Sequence, residues 1–177
     1  MAHDSQHTAL LVMDVQHVII DRVADKDAYL ARARTAVEHA HRHGIRVIYV
    51  VVAFRTGAPE ASEFFRAYAP ALVGAKPVME VAAGDVVVEK KRISAFAGSD
   101  LEVLLRANRI DHLVLCGIAT SGVVLSTARE ASDKDYALTI LSDLCADTDA
   151  EVHRVLLEKV LARQAKVITT AEWLASA

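Results

Sequence analysis

The sequence predicts an α/β protein: a single three-layer α/β/α sandwich around a mostly parallel, six-stranded, Rossmann-like sheet. Three observations carry this expectation. Short unbroken apolar runs recur, among them TALLVMDVQ, IRVIYVVVAF and HLVLCG, and such runs mark strands buried on both faces. Stretches of helical periodicity such as DKDAYLARARTAVEHAHRH lie between them. Strands alternating with helices make βαβ units, which need parallel pairing and right-handed crossovers. A chain of 177 residues suits one domain, 1–177, with its own core. No internal repeat, linker or low-complexity segment interrupts it.

The elements follow in order. Residues 8–13 form a strand stopped by Asp14. Residues 25–43 form a helix, with Asp25 or Asp27 placed to cap its start and Gly44 just past its end. IRVIYVVVAF is the second strand. A long excursion over residues 55–85 follows, where Pro59 and Glu60 suit a helix start and SEFFRAYAPAL suits two or three turns. A connection of that length in a compact domain is usually functional or an interface. Residues 86–89 make a short third strand, 100–108 a helix, 112–117 the fourth strand and 121–132 a further helix. YALTILSD is the fifth strand. Asp147 or Asp149 caps the helix EVHRVLLEKVLAR, QAKVITT supplies the sixth strand and AEWLASA a last helical turn.

Composition narrows the function classes. Apolar residues make up 53% but aromatics only 5%, so Val, Leu, Ile and Ala must build the core. A net charge of −3 leaves no electrostatic footprint for nucleic acid. The two cysteines, Cys116 and Cys145, suggest no disulfide framework. MAHDSQHT lacks a charged-then-apolar leader, and no apolar run approaches membrane-spanning length. A soluble cytoplasmic protein acting on a small molecule, with neither nucleic-acid nor membrane partners, is the expectation.

In open α/β sheets ligands sit outside the carboxyl ends of the strands. Asp14 ends the first strand there, and Lys90 or Lys91 ends the third. A partly desolvated carboxylate steadied by a cation suits proton transfer to a reacting atom. The turn GIATSGVV, residues 117–124, opens a helix whose N–H groups could hold an oxyanion or carboxylate. Thr120 or Ser121 is expected to cap that helix, since neither has an adjacent His to act as base. Arg55 and Arg92 offer planar forks for a substrate carboxylate, and His17 could line the pocket. His39 and His43 have metal-ligand spacing on a helix but no third ligand, and both cysteines read as packed thiols.

Together these segments resemble the isochorismatase-like superfamily of cysteine hydrolases. The matches are ALLVMDVQ, EKKRISAF, GIATSGVVLSTAREA, LSDLCAD and EVHRVLLEKV, in family order across nearly the whole chain. The resemblance implies the isochorismatase-like hydrolase fold, and it maps the Asp and Lys of the amidase triad onto Asp14 and Lys90. The nucleophilic Cys would fall at Val123, six residues after Gly117, and it is absent. Val has no nucleophilic atom, and losing a covalent nucleophile costs on the order of a millionfold in turnover. True isochorismatases carry Gly there and hydrolyse a vinyl ether with the Asp as acid. Their Tyr in a KWRYSAF segment is Ile93 here. Gln16, Arg92, Ile93, Ile118, Ala119, Gly122 and Val123 are then the expected oxyanion or substrate contacts, with a cis peptide at Ile118–Ala119. The zinc-binding Asp-x-His of nicotinamidases has no counterpart in VVAFRTGAPE, so neither metal nor cofactor is expected. The resemblance also implies a homodimer or homotetramer. Two functions follow: a non-covalent acid/base hydrolase using Asp14 and Lys90, or an inactive member that kept only the binding pocket. A displaced nucleophile at Cys145 is a third and weaker reading.

Overall fold

The computed structural model describes residues 4–176. The first three residues of MAHDSQHT and the last residue of AEWLASA lie outside that range. Six strands form one parallel sheet: β1 Thr8–Met13, β2 Arg46–Val52, β3 Val86–Lys90, β4 His112–Ile118, β5 Ala137–Ala146 and β6 Lys166–Ile168. Their order is β3-β2-β1-β4-β5-β6. From β1 the chain winds outward to one edge through β2 and β3, then returns to β4 and winds to the other. The switch point therefore lies between β1 and β4, where this architecture opens a crevice.

Alternation along β1 builds two cores. Ala9, Leu11 and Met13 face one layer, holding α3 Leu101–Ala107 and α4 Leu125–Asp133. Leu10 and Val12 face the other, which holds α2 Lys26–Arg42 and α6 Thr170–Leu174. Helix α2 buries Tyr29, Leu30, Ala33, Ala36, Val37 and Ala40, a stripe of helical period. Asp25 caps its start by accepting the Ala28 N–H at 3.3 Å. Two shorter helices, α1 His17–Ile20 and α5 Ala150–Val155, complete the set. Among the described residues no helix is long and apolar enough to cross a membrane.

Three expectations need correction. The stretch around SEFFRAYAPAL makes successive tight turns, with Phe65 N–H bonded to Ser62 O and Tyr68 N–H to Phe65 O, and only Ala69–Leu72 winds into a 3₁₀ turn. Its apolar side chains do not form a stripe. Phe65, Ala69 and Leu72 join Val52 and Phe54 in a small separate cluster, while Phe64 and Tyr68 stay exposed. The fifth strand extends past Asp143: after an irregularity it resumes pairing, with Cys145 opposite Gly117. The Tyr29 hydroxyl donates to Leu144 O at 3.0 Å within that irregular stretch. Finally, the fourth-strand helix starts as a π-helical turn, Thr120–Val124, before α4, and residues 156–160 likewise continue α5 in π form.

Gly117 fixes how closely β1 and β4 approach. Its φ is +149°, and a Cβ there would stand 2.2 Å from Met13 O. No other residue type fits that conformation and contact together.

Candidate active site

Asp14 follows the last residue of β1 and turns the chain with φ +58°, a left-handed conformation Asp tolerates better than most residues. Its N–H still donates to Val50 O at 2.8 Å, so the residue is pinned to the sheet edge. Lys90 ends β3, two strands away, and reaches across the end of β2 to place Nζ 2.8 Å from Asp14 Oδ2. The same ammonium donates to Ile93 O at 2.8 Å and Arg92 O at 3.1 Å. Three protons thus meet three acceptors, and the ammonium is locked. Lys91 turns away to Ala53 O and Glu89, which settles which lysine faces Asp14.

The other carboxylate oxygen, Asp14 Oδ1, is buried and has no hydrogen-bond partner. Burial raises the Asp14 pKa from 3.8 to about 6, against the opposing charge and hydrogen bond of Lys90. A buried polar atom without a partner is costly and calls for a functional account. Here it belongs to a carboxyl group on the wall of a cavity of about 470 Å³, a size suited to a small molecule.

Lys90, Ile93, Ile118, Ala119, Gly122 and Val123 join Asp14 in the lining. The Ile118–Ala119 peptide is cis. In the π-helical turn, Ala119 O accepts the N–H groups of Gly122 and Val124, and Asp147 Oδ2 accepts that of Ser121 at 2.7 Å. Asp147 therefore serves this turn, while Asp149 caps α5. Thr120 does not cap: its hydroxyl bonds His153 Nδ1 at 2.8 Å.

Several expected contacts lie elsewhere. The Gln16 amide donates to Val52 O at 3.0 Å and accepts Val52 N–H at 2.9 Å, a strap between the ends of β1 and β2 outside the cavity lining. Arg92 donates to Glu60 O and Lys91 O, and Arg55 pairs with Glu60 at 3.3 Å, so neither guanidinium lines the cavity. His17 is exposed and also outside the lining. His39 and His43 stack on each other, His39 also against Trp173, and among the described residues no metal-ligand cluster forms. Cys116 and Cys145 are buried in β4 and β5 away from the lining. Burial pushes the Cys116 thiol well above its usual range and that of Cys145 to about 12.

The remaining walls come from the segments after β1 and β2: Val18, Ile19, Arg22 and Val23 from the first, and Phe64, Phe65, Tyr68 and Leu72 from the second. The excursion's length points to a functional segment or an interface, and the family resemblance implies that it helps cover the pocket. Arg22 carried no such signal, because a lone Arg beside a short helix looks like ordinary surface.

An acidic group beside a locked cation thus lines a cavity at the switch point of a parallel sheet, where this architecture holds small-molecule ligands. The isochorismatase domain matches residues 8–172, and the chain belongs to the isochorismatase family. It is 34% identical to the uncharacterized isochorismatase family protein YwoC of Bacillus subtilis (strain 168), across 97% of this chain and 94% of that one. A probable isochorismatase of Pseudomonas chlororaphis is 30% identical across 96% and 86%. The crystal structure of a cysteine hydrolase from Pseudomonas syringae pv. phaseolicola 1448A superposes with a TM-score of 0.87, at 25% identity, covering 99% of this chain and 94% of that one. The fold is that of this hydrolase family.

Proposed function

We propose that this chain hydrolyses a small molecule by acid/base chemistry without a covalent enzyme intermediate. One observation carries the reading: Asp14 Oδ1 is buried and unpartnered on the cavity wall while Oδ2 is tied to Lys90. In this reading the proton moves through Oδ1, and Lys90 holds the carboxyl in place. Its three donors are already engaged, so its role is orientation and charge. Val123 stands where the resemblance puts the amidase nucleophile, and its isopropyl group can form no thioester. With Cys116 and Cys145 buried outside the lining, no thiol is available to substitute. The amides of Ala119 and Val123 are the candidates to hold a substrate oxygen, since those of Ser121 and Gly122 are engaged.

The test is hydrolysis of a panel of small amides and enol ethers, isochorismate included, by wild type, by Asp14→Asn, and by wild type after thiol alkylation. Turnover lost in Asp14→Asn and indifferent to alkylation is expected. Turnover abolished by alkylation would overturn the non-covalent mechanism. An absence of turnover across the panel would favour the second reading, a pocket that binds without reacting.

A further inference from the structure

We propose that Thr127 and the Ser94–Glu130 pair are positioning residues: through the segment after β3 they hold the two carbonyls that fix Lys90, and so keep Lys90 against Asp14. This rests on the reading of Asp14 and Lys90 as the reacting pair, and it adds the groups that hold that pair in register.

The lysine depends on such help. Strand β3 is an edge strand, paired with β2 alone, and Lys90 is its last residue. Two of the three acceptors of its buried ammonium are Arg92 O and Ile93 O. Both carbonyls lie in residues 91–99, which form neither helix nor strand. A segment without a backbone ladder takes its shape from the other groups that satisfy its N–H and C=O.

Those groups come from α4. Ala95 N–H donates to Thr127 Oγ1 at 2.9 Å, and the Ser94 hydroxyl donates to Glu130 Oε2 at 2.6 Å. Thr127 and Glu130 are three positions apart, on one face of the helix. Thr127, Ala95 and Ser94 are buried, so an acceptor lost there is not replaced by bulk water. Ser94 Oγ in turn accepts Phe96 N–H at 3.3 Å, and the Ser99 hydroxyl closes the segment on Ala95 O at 2.7 Å. Ile93 O belongs to the peptide that joins Ile93 to Ser94, so anchors on Ser94 and Ala95 set where that oxygen points. Neither Thr127 nor Glu130 lines the cavity, and they act through the segment rather than on a ligand. The π-helical turn that lines the cavity runs directly into α4. One helix therefore registers both the turn at its start and the carbonyls of Lys90 on its flank.

Titration of the Asp14 carboxyl carbon by NMR, its resonance assigned by its loss in Asp14→Asn, tests this without turnover. Thr127 and Ser94 are uncharged. Replacing them leaves in place Lys90, which faces Asp14, Arg22 and Asp147 on the same cavity, and Lys134, 3.8 Å from Glu130. A change in the titration then reports geometry. Thr127→Val keeps the shape of the side chain and removes the acceptor. With its carbonyls displaced, the ammonium is held less closely to Asp14 and opposes the effect of burial less. The midpoint, at about 6 in the wild type, should rise by at least about half a pH unit, about threefold in proton affinity. Ser94→Ala should raise it by a similar amount, and it carries the test alone if Thr127→Val does not fold. Thr127→Ser keeps the hydroxyl and loses the methyl group, and should titrate with the wild type. A smaller rise, or none, in either folded variant overturns the proposal. So does a rise in Thr127→Ser equal to that in Thr127→Val, which would assign the effect to packing. The carboxyl titrates whether or not a substrate is found, so an inactive hydrolysis panel leaves this test standing, and an unmoved midpoint leaves the hydrolytic reading standing.

Discussion

At the scale of single residues, Asp14 is the group whose chemistry and stability are coupled. The folded carboxyl keeps its proton up to about pH 6, whereas the exposed group of the unfolded chain releases it near 3.8. Between those values the folded state binds the extra proton. The stability it contributes is complete below pH 3.8 and is lost as the pH rises through about 6. The difference amounts to roughly 3 kcal/mol. Chemical denaturation of wild type and Asp14→Asn from pH 4 to 7 should show the wild type losing ground to the variant as the pH rises. A gap that does not change with pH would mean Asp14 titrates normally. In kcat/KM the same group should give one limb centred near pH 6, falling above it if Asp14 donates the proton and rising if it accepts.

At the scale of elements, the end of β4 is the least replaceable part of the frame. Gly117 lets β4 lie against Met13 O, and it brings the 118–124 turn beside Asp14. Gly117→Ala combines a backbone conformation only glycine favours with a Cβ 2.2 Å from a carbonyl oxygen. A loss of about 3 kcal/mol or more is expected by denaturant unfolding. A loss below about 1 kcal/mol would show that the two strands can part without cost. This part of the site was legible in the sequence, because Asp14, Lys90 and the 117–124 turn all follow apolar strands, and parallel topology brings strand ends together. Gln16 and Arg92, which the family resemblance implies as substrate contacts, are engaged with backbone groups instead. A polar side chain near a strand end can serve the backbone as well as a ligand, and spacing does not distinguish the Val52 strap from a substrate contact. The expected fifth strand YALTILSD stops short of Cys145 because Ser142 and Asp143 interrupt the apolar run, and β5 resumes beyond them through an irregularity no local pattern announces. The mouth was hidden more deeply still. Arg22 and Tyr68 are 46 positions apart in the chain, and they meet because the segments after β1 and β2 both emerge at the carboxyl edge.

The whole molecule divides into a rigid frame and a weakly held wall. The central strands β1 and β4 pair on both sides and are buried throughout, so their amides should open only with global unfolding. Residues 62–72 of the excursion are held otherwise, by the isolated bridge from Phe54 to Val73 just beyond them, a single 3₁₀ turn and a small separate cluster, whereas Val78, Met79 and Asp85 are tied to the main body. Local opening there needs far less free energy than opening the sheet. Hydrogen exchange followed by mass spectrometry should therefore find residues 62–72 among the fastest to exchange, with β1 and β4 the slowest. A ligand seated between Arg22, Tyr68 and Asp14 touches both walls and the frame, and it stabilises only the states in which all three are assembled. A compound of the hydrolysis panel that binds the cavity should, at about ten times its Kd, slow local exchange at 17–23 and 62–72 by about tenfold, while the exposed face of α3 stays unchanged. Uniform slowing across the chain would mean that the excursion opens only with the sheet, and slowing confined to one wall would mean that the ligand does not bridge the mouth.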